Sequence, residues 1–535
     1  MRILLAMIFV ATLHAAPTVF QVHEVSLSAP KPPADPLGAP PRVTVTGPGG
    51  RVARLQMFWD GGSSWKFRFM PESPGTYRWV VADTGSSMHN KRGSFAASPN
   101  ATPGSDLAKL GPPRLSKDRR HFVHPDGTPW FWLADTAWNG ALLATEAEWE
   151  DYLSQRARQR FTAVQIVLTQ WRAGFADENG RAAYSVVDGQ LRIDPLFFQR
   201  MDRRMEAIGR HGLVAVPVML WALTGPDRES PGESLSNEHC ILLGSYLRAR
   251  YGSHAVLWFL GGDGDYRDAK AAKWRTIGRG VFPADLDRRP VTLHPRGTQD
   301  PWAGLKDEPW LDYLAFQSGH GLSPGKWRWM ADRGMAESWR LMPARPVIDT
   351  EPNYEAHQSY NSTQKVTDYN VRRAAWMALL AAPVAGVSYG AHGVWPWMRE
   401  AGVPLNHKDS GIADPWRECM SYPGAAQMTV ARNLLEILDW TSLRPAKDLV
   451  EAPLPDQNFA NYVAAARSAN GNFALLYSPV EQELTLDLSS FRIMVSATWL
   501  DPRTGARHPG GRYPARPATT IQVPAGGDWL LLLQN

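Results

Sequence analysis

The chain has 535 residues, 44% of them apolar and 20% charged, with a formal net charge of +5. That length is enough for two to four domains, and the apolar share is ordinary for a globular protein. No basic run or nucleic-acid motif accompanies the mild positive charge, which argues against a nucleic-acid partner but allows an acidic one such as a uronic-acid polymer.

The first sixteen residues read as a secretory signal. Arg2 supplies the charge, Ile3 to Leu13 an apolar core, and His14-Ala15-Ala16-Pro17 small residues for cleavage. The apolar stretch is too short to span a bilayer as a stable helix. No Cys follows it for lipid attachment, and no later run is long and apolar enough for a membrane span. A periplasmic or secreted protein is expected.

Residues 17–98 look all-β. Val43–Thr46, Leu55–Trp59, Trp65–Phe69 and Tyr77–Val80 are short runs separated by turns rich in Gly and Pro. That spacing predicts a small β-sandwich. Residues 99–113, opening on Pro99-Asn100-Ala101-Thr102-Pro103-Gly104, read as a linker.

From 114 to 440 strands alternate with helices. Eight apolar runs are the candidate strands: Phe131–Ala137, Ala163–Thr169, Leu213–Leu220, Ala255–Leu260, Pro290–His294, Leu311–Gln317, Pro346–Asp349 and Gly386–Tyr389. Between them, Thr145-x-x-Glu148 is a capping box. Asp194-Pro195 opens a helix with Phe198, Met201, Met205 and Ile208 on one face, and His211-Gly212 closes it. Eight such units predict a (β/α)8 barrel, an α/β fold, with room for long loops over its active face. A last helix is expected over Ala425–Leu438. Residues 445–535 turn β-like again, with Asn470-Gly471 as a hairpin turn and Leu530–Leu533 as a terminal strand, and predict a second β-sandwich.

In a barrel of this kind the strand ends carry the chemistry. The fourth run leads into Gly261-Gly262-Asp263 and the seventh into Thr350-Glu351. Glycines at a strand end let the backbone turn and a ligand approach closely. Glycoside hydrolysis needs one carboxyl to protonate the leaving oxygen and a second to attack the sugar or activate water, and opposite strands can hold such a pair across one sugar. Each acid taken singly is equally well read as a loop or capping residue. Together, in a chain with 23 Trp, Asp263 and Glu351 point to a glycosidase.

Other polar and aromatic groups at strand ends are candidates for substrate contact. They are Asp135 and Trp138 after the first strand, Gln170 and Trp171 after the second, Trp221 after the third and His294 after the fifth. Gln317 and His320 follow the sixth, and His392, Trp395 and Trp397 the eighth. Glu355 reads as structural. His121 and His124 lack convincing metal-site spacing. There is no His-Glu-x-x-His, no Gly-x-Ser-x-Gly elbow and no phosphate-binding loop, so neither metal nor cofactor is expected. Cys240 and Cys419 read as two buried thiols, with a disulfide as the alternative that export permits.

Phe131-Trp132-Leu133-Ala134-Asp135-Thr136-Ala137-Trp138, Arg250-Tyr251-Gly252, Trp258-Phe259-Leu260-Gly261-Gly262-Asp263 and Asp349-Thr350-Glu351-Pro352-x-Tyr354-Glu355 resemble the apiosidase-like glycoside hydrolases. Phe67-Arg68-Phe69-Met70-Pro71 and Pro74-Gly75-Thr76-Tyr77 are similar to the Ig-like domain often fused to them. Ala497 to Gly505 is similar to the domain labelled "putative collagen-binding". The resemblance implies a retaining glycosidase acting on a plant or microbial polysaccharide or oligosaccharide, with Asp263 as acid/base and Glu351 as nucleophile. Many related barrels carry Asn-Glu where this chain has Gly262-Asp263. Asp265, two residues on, either raises the Asp263 pKa by repulsion or competes with it for the role. A polysaccharide- or matrix-binding protein with an inactive barrel is the alternative, and turnover against binding alone separates the two.

Overall fold

Eight parallel strands form the centre of the molecule: β1 (Trp132–Thr136), β2 (Ala163–Val167), β3 (Val214–Trp221), β4 (Trp258–Gly262), β5 (Val291–Thr292), β6 (Leu314–Phe316), β7 (Val347–Asp349) and β8 (Gly386–Tyr389). The computed structural model describes residues 17–83, 85–225, 228–360, 362–451 and 459–535, so the expected signal at 1–16 lies outside the described residues. The ladder runs β5-β4-β3-β2-β1-β8-β7-β6. Two backbone bonds of 2.8 Å close the ring, Asp312 N–H donating to Val291 O and Thr298 N–H to Gln317 O. This is a (β/α)8 barrel, flanked by an Ig-like sandwich before it and a second sandwich after it.

The barrel interior is filled in layers. At its N-terminal end, Phe122 of a small hairpin packs edge-on to Tyr313 at 5.5 Å, and Tyr313 lies 5.9 Å from Trp132. Above this apolar plug runs a polar relay. Trp132 Nε1 donates to Ser388 Oγ at 3.0 Å, and Ser388 donates to Gln165 Oε1 at 2.8 Å. Gln165 Nε2 donates to Thr136 Oγ1 and to Thr350 O, both at 2.9 Å. Gln165 is fully buried, and the relay satisfies all its polar atoms. It also ties β2 to the chain just past β7, where Glu351 stands.

The helices begin and end where the local signals require. Thr145 caps Glu146–Arg158, with Glu148 bonding back to the Thr145 amide at 2.8 Å. Pro195–Arg210 buries Phe198, Met201, Met205 and Ile208. Each such side chain contributes about 1.5–3 kcal/mol. Gly212 then takes φ +75°, a conformation that strains other residues, and the chain turns into β3.

In the first sandwich, His23–Ser28, Ser64–Phe69 and Phe58–Trp59 make one sheet. Val52–Gln56, Arg42–Thr46, Gly75–Val81 and Arg92–Ala97 make the other. The run Leu55–Trp59, expected as one strand, breaks at the fully buried Met57 and crosses between sheets there. The linker region holds a short helix, Asp106–Leu110, capped by Ser105. In the C-terminal part, Ala464–Ser468 pairs with Phe473–Ser478 around Gly471 at φ +70°. Trp529–Gln534 is a central strand of the larger sheet. Cys240 and Cys419 are separate buried thiols, bonded weakly to the carbonyls of Pro231 and Asp414.

Buried Arg–Asp pairs fasten both sandwiches to the barrel. Arg68 of the first sandwich and Arg250 of the barrel both grip Asp202 in forked fashion, with four N–O contacts of 2.6–3.0 Å, and Arg250 reaches Asp60 at 2.8 Å. On the other side Arg372 makes a forked pair with Asp528 at 2.8 and 3.0 Å. Burial alone would raise the Asp202 pKa, but Arg250 and Arg68 hold it well below the carboxylate range. Its contribution to stability is therefore complete above the unfolded value of about 3.9 and is lost as pH falls toward the folded value. Asp202→Ala leaves two buried guanidinium groups without their shared partner, and we expect a loss of about 3–5 kcal/mol in urea denaturation of the intact protein.

Candidate active site

The end of β4 is shaped by what glycine permits. A Cβ on Gly262 would lie 2.6 Å from the Trp221 ring and 2.7 Å from Val218, and one on Gly261 2.6 Å from Trp274. Only bare backbone fits, so the chain lies close against Trp221. Asp263 follows at φ +47°, in the left-handed region that Asp tolerates better than most residues. Its carboxyl lines a cleft of about 1080 Å³ at the C-terminal end of the barrel. Burial and then the negative charge of Glu351 push its pKa well above the usual carboxylate range, against a weaker opposing pull from Arg296 and Arg172. No side-chain or backbone donor reaches its carboxyl among the described residues.

Glu351, just past β7, lines the same cleft in the opposite electrostatic situation. Gln317 Nε2 donates to Oε1 at 2.8 Å, His294 Nε2 lies 2.9 Å from Oε2, and His320 Nε2 lies 3.2 Å from Oε1. Burial would raise its pKa, but the hydrogen bonds from His294 and His320 outweigh it and hold the group well below the usual range. The tautomer of His320 follows from its other neighbour. The Tyr354 amide can only donate, and it meets Nδ1 at 3.3 Å, so Nε2 carries the proton given to Glu351. For His294, the Thr350 hydroxyl gives its proton to the Phe316 carbonyl at 2.8 Å and so accepts from Nδ1 at 2.9 Å, while Nε2 gives its N–H to Glu351. Thr350 is in turn held through its carbonyl by Gln165.

A buried pair underlies this arrangement. Lys326 Nζ donates to Gly319 O at 2.7 Å and to Asn353 Oδ1, fixing the turn that carries His320. Asp349 accepts from the Ser318 amide at 3.2 Å. Burial lowers Lys326 to about 7 and raises Asp349 to about 6.

Trp138, Trp171, Trp221 and Trp395 form one wall of the cleft, with Trp171–Trp221 ring centres 4.2 Å apart and Trp138–Trp221 5.3 Å apart. The buried Nε1 atoms of Trp221 and Trp395 and the Oε1 of Gln317 find no hydrogen-bond partner among the described residues.

Five residues expected to contact substrate do not line the cleft, His294 among them, fully buried against Glu351. Asp135 points outward into the helix layer, where Tyr152 and Arg156 take its Oδ2 at 2.6 and 2.7 Å. Side chains alternate along a strand, and Thr136 holds the inward position. Gln170 is spent on the Ala183 amide and the Tyr184 carbonyl. His392 lies behind the cleft, 3.2 Å from Ser410 Oγ. Trp397 stacks on Trp416 at 4.5 Å, away from the opening. Asp265 is neither a rival acid nor a cause of the Asp263 shift, because Arg267 takes its carboxylate at 3.0 Å. Glu355 is structural: Tyr389 donates to it at 2.6 Å and the Gly424 amide at 3.0 Å, pinning the helix Pro423–Glu436.

Sequence reasoning passed over several lining groups. Tyr354 and Tyr360 face the cleft, as do His357 and the segment 403–410. Tyr354 lay inside a quoted motif, so proximity in sequence to Glu351 was an available signal. The segment 403–410 carries no motif and reaches the cleft only through the fold. Arg172, Arg296 and Lys408 also line it.

Residues 116–442 match the family described as "Apiosidase-like, catalytic domain". Residues 17–84 match a domain of unknown function, and residues 445–534 match one described as "Putative collagen-binding domain of a collagenase". A solved structure named "Glycoside hydrolase" is 22% identical, with 81% of this chain and 99% of that chain covered and a TM-score of 0.69. A glycoside hydrolase family 5 structure from Bacteroides vulgatus ATCC 8482 is 20% identical, covering 81% of this chain and 96% of that one, also with a TM-score of 0.69. At these identities the likeness is one of fold. A search of curated proteins finds no match.

The packing of Gly262 against Trp221 gives a direct test of this geometry. Gly262→Ala forces Trp221 or Val218 to move, and overpacking of this sort costs about 1–3 kcal/mol. A shift of about 1 Å at the wall lowers turnover on the order of 10²-fold. A crystal structure of the variant should show Trp221 displaced, with the Glu351 contacts unchanged.

Proposed function

The chain belongs to the apiosidase-like glycoside hydrolases, and we propose that this enzyme is a retaining glycosidase in which Glu351 is the nucleophile and Asp263 the acid/base. The observation that carries the reading is the contrast between two acids lining one cleft. Glu351 accepts from three N–H donors that favour its ionised form, while Asp263, without a donor and beside that charge, is shifted toward its protonated form. A retaining glycosidase needs that division in its resting state.

In the first step a Glu351 oxygen bonds to the anomeric carbon as the glycosidic bond breaks, and the Asp263 proton goes to the departing oxygen. In the second step water attacks the same carbon, its proton returns to Asp263, and the Glu351–sugar bond breaks. The Trp wall offers flat apolar faces to sugar rings.

The substrate of this reading is an oligosaccharide or polysaccharide of plant or microbial origin. Arg172, Arg296 and Lys408 at the cleft favour an acidic one. The N-terminal signal pattern supports export to the periplasm or the medium. No helix among the described residues is long and apolar enough to cross a membrane.

Two measurements test the roles. Glu351→Gln should abolish turnover on any confirmed glycan while the protein stays folded. Asp263→Ala should lower turnover of ordinary substrates about 10²–10⁴-fold. An activated aryl glycoside, whose leaving group needs no proton, should still form the intermediate, and added azide should release a glycosyl azide of retained configuration. Azide rescue of Glu351→Ala should give the inverted product. Near wild-type turnover by Glu351→Gln, or opposite azide configurations, would withdraw the assignment.

The pH profile follows from the raised Asp263 pKa. Activity on ordinary substrates is present while Asp263 is protonated and falls as pH rises through its folded value. In Asp263→Asn, residual turnover of the activated glycoside should lose this alkaline limb. An unchanged alkaline limb in that variant would assign it to another group.

A further inference from the structure

A second cavity, of about 200 Å³, lies between the N-terminal sandwich and the barrel. Its barrel side comes from the end of the helix Asn237–Tyr251 and from residues 287–289, just ahead of β5. It therefore sits at the N-terminal end of the barrel, on the face opposite the cleft.

Its charges do not balance locally. Three guanidinium groups share one carboxylate: Arg51, Arg114 and Arg289 approach Glu72 at 2.5, 3.2 and 3.7 Å. Arg248, 5% exposed, lines the cavity without a carboxylate partner among the described residues. Among the described residues its guanidinium bonds only to the neutral amide oxygen of Gln56, and its buried Nε has no partner. Asp285, the acid whose charge acts on it, is taken by Arg42 at 2.5 Å. Asp287 also lines the cavity, with Oδ2 accepting from the Arg54 amide at 3.1 Å. The other arginines of the lining are satisfied, Arg68 by Asp202 and Arg288 by Asp312.

Burial of cations with too little counter-charge is costly. Here it pulls Arg248 and Arg289 down to about 10. An arginine kept buried and unpaired in an open-sided cavity has the planar fork suited to a carboxylate or sulfate. We propose that this cavity is an anion site, in which Arg248 and Arg289 bind one carboxylate or sulfate group, either free or carried on a single sugar residue. The site is separate from the cleft and does not depend on the catalytic assignment.

The test is calorimetric titration and thermal melting of the intact protein with D-galacturonate, sodium sulfate and neutral D-galactose, at constant ionic strength. Both anions, or one of them, should bind saturably and raise Tm, while galactose should not. Sulfate binding without galacturonate binding identifies an inorganic oxyanion site, and the converse a uronate site.

Arg248→Gln should weaken binding by about tenfold or more, as expected when one charged hydrogen-bond partner is lost. Should that variant fail to fold, Gln56→Glu supplies the missing carboxylate from within. It should raise Tm without ligand and abolish the anion response. The inference is overturned by the absence of saturable anion binding in the wild type, or by anion binding unchanged in Arg248→Gln or in Gln56→Glu.

Discussion

The active face of this protein is organised around one buried carboxylate. Glu351 sits in a site where burial opposes its charge, and three side chains, from the ends of β5 and β6 and the turn after β6, aim N–H groups at it. Two of the three are oriented by neighbours of their own. His320 is oriented by the Tyr354 amide, His294 by Thr350, and the turn carrying His320 by Lys326. The relay from Trp132 through Ser388 and Gln165 to the Thr350 carbonyl extends the same constraint into the barrel interior. A group so fully specified costs little reorganisation during reaction.

The outer architecture obeys a related rule. Each sandwich meets the barrel through an arginine and an aspartate that are both buried, Arg68 with Asp202 and Arg372 with Asp528. Such pairs are poor sources of net stability but penalise any arrangement that separates them. They fix how the three parts fit. The Arg248 cavity lies close to the first of these joints and breaks the rule, since it holds buried positive charge without a matching acid.

The barrel was legible because its signals are local. Apolar runs, the Thr145 capping box and the glycine stop at Gly212 act over a few residues, and the eight strands formed where those runs stand. Asp263 and Glu351 were visible because strand ends in a barrel converge on one face. What failed was the direction of single side chains. Asp135 and Trp397 stand within a residue or two of cleft-lining neighbours, yet pleat and loop geometry send them into packing instead. The donors Gln317, His294 and His320 were found as polar strand-end residues, but their convergence on one carboxylate is tertiary. Strand Leu55–Trp59 failed for a similar reason: its apolar pattern is continuous, while the sheet change at Met57 depends on packing from both sides.

The two acids share one environment and differ through their donors. Desolvation acts on both in the same direction. Three N–H groups reverse it at Glu351, and none does so at Asp263, where the Glu351 charge adds to it. The Glu351 charge thus favours the protonated form of Asp263, and on the retaining reading proposed above the coupling has a consequence in time. A bond from Glu351 to a sugar would remove its negative charge, and with it one of the two causes raising Asp263. On that reading Asp263, having given up its proton, would then have a lower pKa and be ready to take a proton from water. Departure of the sugar would restore the Glu351 charge and the preference of Asp263 for the protonated form. The proposed exchange of acid and base roles would need no movement of either side chain. It follows from the burial of two carboxyl groups within reach of each other, one with hydrogen-bond donors and one without.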